Sequence, residues 1–123
     1  MRILFIVRRL PPQTDGVGDY TARLAAALAA RGHTVAIVTS AQPNAEARGA
    51  TVWPAVSRWS VRSLGELLTA CRRQNPDVVC LQFSPFMYSR RGLCPFLIAG
   101  MLGLRLATRA RVLVTFHELC NEW

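Results

Sequence analysis

Apolar and polar positions alternate along this chain in blocks, and the block lengths distinguish strands from helices. Ile3-Leu4-Phe5-Ile6-Val7 is a continuous apolar run, the pattern of a parallel strand covered on both faces. Leu10 to Gly18, punctuated by Pro11-Pro12 and Asp15-Gly16, reads as a loop. From about Gly18 to Arg31, the spacing of Tyr20, Leu24 and Leu28 predicts a helix with those three on one face, stopped by Gly32. His33–Thr39 predicts a second strand, the small and polar residues 40–50 a surface loop, and Thr51–Trp53 a short third strand. Ser63-Leu64-Gly65-Glu66 has the spacing of a capping box. The helix around it turns Leu64, Leu67, Leu68 and Cys71 inward and ends before Asn75-Pro76. Asp77–Phe83 holds another buried strand, residues 84–92 form a loop, and 93–107 predict an apolar helix. Arg111–Phe116 is the last strand and runs into His117-Glu118.

Strands alternating with helices imply right-handed crossovers and an open α/β fold, with a mostly parallel central sheet of about five strands. A length of 123 residues suits one domain. No internal repeat, low-complexity segment or linker interrupts it. Hydrophobic residues make up 51% of the chain, and the mean hydropathy is +0.22. That much apolar material points to a face that expects a packing partner. The first apolar run is too short for a signal peptide, and Leu93–Leu104 falls well short of the ~20 residues needed to span a bilayer. The expected location is therefore cytoplasmic.

The formal net charge is +8, and every one of the 15 basic residues is arginine. Such a charge favours anionic partners. The arginines are spread out, with pairs at Arg8-Arg9, Arg72-Arg73 and Arg90-Arg91, and no nucleic-acid-binding motif accompanies them. Nucleic acid is therefore disfavoured as a partner. Arg90, Arg91, Arg105, Arg109 and Arg111 surround the apolar 93–104 segment, so a peripheral contact with anionic lipid at the inner membrane face is a second expectation beside a core helix packed on the sheet. The cysteines at 71, 80, 94 and 120 have no zinc-site spacing and are expected as free thiols, and no metal is expected.

Ligands of open α/β sheets collect beyond the carboxyl ends of the strands, near the point where strand order reverses. The loop after the first strand, the loop after Phe83 and the turn at His117-Glu118 should therefore meet. Gly16-Val17-Gly18 stands before the first helix, where glycines admit a ligand close to the backbone and free amides favour a phosphate. It is not a dinucleotide fingerprint: Thr21 stands where the third glycine would be, the glycines lie far beyond Val7, and strand two ends in Thr39-Ser40 rather than an acid. His117, at the end of a buried strand, can bond a sugar hydroxyl or stabilise a charge, or serve only as a satisfied strand-terminal histidine. His33, at the opposite end of the sheet, is read as structural.

Together these residues resemble the opening of family 4 glycosyltransferases. Met1-Arg2-Ile3-Leu4-Phe5-Ile6 followed by Pro11-Pro12, Asp15-Gly16-Val17-Gly18, Leu28 to Val35, Asn75-Pro76-Asp77-Val78-Val79 and Thr115-Phe116-His117-Glu118 all match in order, over essentially the whole chain. The resemblance implies a Rossmann-like three-layer sandwich forming the N-terminal, acceptor-side half of a GT-B architecture, incomplete at its C-terminus. It implies a retaining enzyme that moves a hexose-type sugar from a nucleotide-sugar to an acceptor, with no cofactor beyond that substrate. By match to the family, Gly16, Val17 and Gly18 approach the donor diphosphate, and His117 is the catalytic histidine that reaches the transferred sugar. Asp19, Tyr20, Ser84 and Glu118 line the acceptor and sugar pocket. The family's loop carries adjacent glycines, where this chain has Gly-Val-Gly. The family's donor-binding half, with its basic pair and two glutamates, is not in this sequence, so the chain alone is expected to be inactive. The alternative is a non-catalytic subunit or binding module that pairs with a separate donor-binding chain; another small nucleotide- or phosphate-binding α/β protein is the third reading.

Overall fold

Five strands, all parallel, form one sheet in the order β3-β2-β1-β4-β5. A computed structural model describes residues 1–12, 15–60, 62–84 and 95–117. Along the chain come β1 (Arg2–Ile6), α1 (Gly16–Ala30), β2 (Thr34–Ser40), β3 (Ala50–Val56), α2 (Ser63–Gln74), β4 (Val78–Phe83), α3 (Pro95–Ala107) and β5 (Arg111–Phe116). The chain steps from β1 outward to β2 and β3, then crosses back to β4 and β5, so strand order reverses between β1 and β4. Right-handed crossovers in opposite lateral directions lie on opposite faces. α2 and α3, which pack on each other, therefore cover one face and α1 the other. This is the three-layer α/β sandwich expected, with the last strand at its expected bounds.

The central strands hold the core: Leu4, Phe5, Ile6, Ile37, Val38, Val79 and Leu81 are all buried. Leu67, Ala70 and Cys71 of α2 and Leu97, Met101 and Leu104 of α3 close one side. Burial raises the Cys71 thiol pKa above its ordinary value, opposed by a hydrogen bond with Thr108, so it is a neutral packing group. Cys71 and Cys80 are both free thiols. Gly32, at φ 90°, ends α1 in the conformation that glycine adopts without strain, and Asn75 does the same for α2 at φ 44°.

Four expectations need correction. α1 begins at Gly16, so Gly16, Val17 and Gly18 form its first turn instead of a preceding loop. Asp15 is the cap, its carboxylate accepting from the Gly18 amide at 2.9 Å. The face α1 buries is Gly18, Thr21 and Ala25; Tyr20 is 47% exposed, because small residues let this helix lie close to the sheet. The capping box does not form. Ser63 is already helical, Arg62 caps without a side-chain bond, and the buried Ser63 hydroxyl donates to the Ser60 carbonyl. Glu66 instead accepts from the Ser57 amide and hydroxyl. The 40–50 loop is not wholly at the surface: Gln42 is buried, its Oε1 accepting from Leu10 N and its Nε2 donating to Leu10 O. It stands in for a strand neighbour and satisfies the backbone just after β1.

Among the described residues, one flank is left open. Leu113, Val114 and Phe116 of the edge strand β5 are exposed, as are Ile98, Leu102 and Leu106 of α3. Between α3 and β5 lies an apolar groove of about 630 Å³, floored by Leu81 and Phe83.

Candidate functional site

The carboxyl ends of β1 and β4 flank the reversal point, where such sheets receive ligands, and β5 ends beside β4. The β1–α1 connection reaches this edge under tight constraint. Gln42 holds Leu10, and Gly18 presses against the backbone of Arg9, whose carbonyl oxygen a side chain at 18 would strike. Gly18 is thus a glycine because protein packing demands it. Gly16 faces open space.

That geometry brings the first turn of α1 to β5. Tyr20 meets His117 edge to face, with ring centroids 5.1 Å apart and planes at 77°. His117 is tied to β4 as well: its amide donates to the Phe83 carbonyl at 3.0 Å, and its Nε2 lies 2.8 Å from Oε1 of Gln82. Gln82 is fully buried. Its Nε2 reaches Sγ of Cys80 at 3.2 Å and Oγ1 of Thr115 at 3.5 Å, and those two atoms are 3.4 Å apart. Cys80, Gln82, Thr115 and His117 therefore form a polar ladder on the α1 side of the sheet. Leu81, Phe83, Val114 and Phe116 point the other way into the apolar groove, where Phe83 and Phe116 pack edge to face at 5.6 Å.

The first turn of α1 is electrostatically mixed. The helix N-terminus attracts anions, but Asp15 already engages the Gly18 amide and Asp19 adds a second, exposed carboxylate. What the turn can offer a ligand is the pair of amides at Gly16 and Val17, which have no acceptor among the described residues.

The predicted residues thus divide into three groups. Gly16, Val17, Gly18, Asp19, Tyr20 and His117 share one edge of the sheet, with the half-buried Ser84 directly after β4. Glu118 and the rest of the 84–92 loop lie outside the described residues. His33 is at the other end, where its Nδ1 lies 3.1 Å from the N-terminal amine. Among the described residues no cluster suited to a metal ion occurs. Asp15, Gln42 and Gln82 were missed from sequence. The signal for Gln82 was a polar residue inside an apolar strand, since a buried amide must have partners.

Comparison with known proteins gives this site a context. A family model described as a glycosyl transferase 4-like domain matches residues 15–123. Glycogen synthase of Anaeromyxobacter sp. (strain K) is 34% identical over 96 residues, covering 76% of this chain and 20% of the relative. Glycogen synthase of Anaeromyxobacter sp. (strain Fw109-5) is 35% identical over 95 residues with the same coverage, and that of Anaeromyxobacter dehalogenans (strain 2CP-C) is 34% identical over 96. The chain spans about one fifth of the length of the curated relatives it matches.

Proposed function

The chain belongs to the glycosyl transferase 4-like domain family, and on that premise we propose that it supplies the acceptor-side half of a two-domain, retaining glycosyltransferase. The donor is a nucleotide-sugar carrying a hexose, and no cofactor enters beyond it. His117 reaches the transferred sugar. The amides of Gly16 and Val17, in the turn that ends at Gly18, approach the donor diphosphate. Asp19, Tyr20 and Ser84 border the acceptor pocket, and Glu118 belongs to the same turn as His117. The observation that carries this reading is the contact between Tyr20 and His117, which joins the first helix to the end of β5, one strand beyond the reversal point.

A half-site of this kind lacks most of what neutralises the leaving diphosphate, and preorganised charge there is a main source of transition-state stabilisation. The purified chain, incubated with radiolabelled UDP-hexoses or ADP-hexoses and a panel of glucan and lipid acceptors, is expected to give no transfer above the enzyme-free blank. Robust transfer by this chain would overturn the half-site reading. The donor-binding half is either a later part of the same polypeptide or, in the alternative, a separate chain to which this one is a non-catalytic subunit. Translating the DNA beyond codon 123 separates these two.

No helix among the described residues is long and apolar enough to cross a membrane. α3 nevertheless carries Ile98, Leu102 and Leu106 four apart and exposed, beside the exposed Arg105, Arg109 and Arg111. No acidic residue occurs from Val78 through His117. An apolar stripe rimmed by arginine suits a cytoplasmic protein in peripheral contact with anionic lipid. Co-sedimentation with vesicles containing phosphatidylglycerol is expected at low salt, weakened by added salt and abolished by Leu102→Glu with Leu106→Glu. Absence of binding at low salt would remove the lipid contact.

A further inference from the structure

We propose that Gln82 is a positioning residue for His117, fixing a hydrogen on Nε2 so that Nδ1 is the nitrogen offered to ligand. The inference rests on the sugar-contacting role proposed above for His117, but the geometry behind it is independent of that role.

Nε2 of His117 and Oε1 of Gln82 are 2.8 Å apart. A carboxamide oxygen only accepts, so His117 must be the donor. In the orientation the structure gives, Nε2 of Gln82 points at the Cys80 sulfur and the Thr115 hydroxyl, both able to accept, which leaves Oε1 for the imidazole. Tyr20 then bounds the imidazole with an edge-to-face contact, and the amide of His117 is pinned to Phe83 O.

The consequence is chemical. Neutral or protonated, the imidazole keeps its Nε2 hydrogen toward Gln82. Nδ1 has no hydrogen-bond partner among the described residues. Neutral, Nδ1 accepts from a sugar hydroxyl; protonated, it donates to an anionic oxygen. Without an acceptor at 82 the ring could exchange tautomers, and Nε2 and Nδ1 would compete for the ligand role.

The 15N-labelled chain provides the test, because only His33 and His117 carry imidazoles and a His33→Asn variant leaves a single set of ring signals. The His117 Nε2–H is expected to appear as a solvent-protected signal in two-bond 1H–15N spectra, with Nδ1 bare when the ring is neutral. Gln82→Met, which keeps the bulk and removes the acceptor, is expected to speed Nε2–H exchange about tenfold, the scale of one lost hydrogen bond. Gln82→Glu retains an acceptor and should restore protection. A merely structural Gln82 would move melting temperature without moving this signal. A hydrogen on Nδ1 of the wild-type ring, or unchanged exchange in a folded Gln82→Met variant, would overturn the proposal. If Gln82→Met does not fold, the wild-type ring signals and Gln82→Glu still decide it. Adding UDP-glucose addresses the transferase reading separately, since ligand binding can fail while the tautomer remains as proposed.

Discussion

Gly18→Val is expected to destabilise the chain by about 3 kcal/mol or more, and Gly16→Ala, two residues earlier in the same turn, to leave it unchanged or slightly more stable. A Cβ at 18 runs into the carbonyl oxygen of Arg9, which is backbone and cannot step aside like a flexible side-chain end, whereas at 16 it meets nothing. Relief would require α1 to lift from the β1–α1 connection. That movement would also withdraw Tyr20 from His117, so loss of stability and disturbance of the His117 ring signals should appear together. Urea unfolding followed by circular dichroism measures the first effect. A Gly18→Val chain within 0.5 kcal/mol of wild type would show that α1 is seated differently.

The second large effect contrasts two leucines that look alike in sequence. Leu67 is buried beneath α2, and Leu106, near the end of α3, is 88% exposed. Leu67→Ala removes a fully packed side chain and leaves a cavity, which costs about 2–5 kcal/mol. Leu106→Ala is expected to fall within about 0.5 kcal/mol of wild type, as surface changes do. The same urea titrations compare them, and equal losses would mean that the α3 stripe is covered in solution by something the chain itself provides.

Much of the fold could be read from block lengths alone, because runs such as Ile3–Val7 and Val78–Leu81 are apolar without alternation, which a sheet buried on both faces requires. The edges of elements were harder, for identifiable reasons. Gly16 and Gly18 are poor helix formers, so the first turn of α1 looked like loop until the Asp15 cap and the Arg9 contact were visible. Ser63 and Glu66 had capping spacing, but spacing does not record that the serine hydroxyl is buried and turned back to Ser60. Gln42 and Gln82 were passed over because both roles depend on partners far away in sequence, Leu10 for one and Thr115 with His117 for the other. The strand order likewise comes from pairings between β1 and β4 that no local pattern encodes. At the candidate site, the meeting of the first-helix turn with His117 was anticipated from where strands end; the amide that holds the imidazole was not.

The contact between Tyr20 and His117 also bears on the order of events during synthesis. One ring lies near the start of the sequence and the other near the end of the described chain. Joining them closes a loop over most of the described chain, and the entropy of that closure must be met before the contact itself gives anything back. A ribosome-bound chain that has released β1 through β4 already possesses most of its core but no mouth. The turn that opens α1 and the imidazole of His117 therefore become neighbours only when β5 docks, after the central strands are already in place.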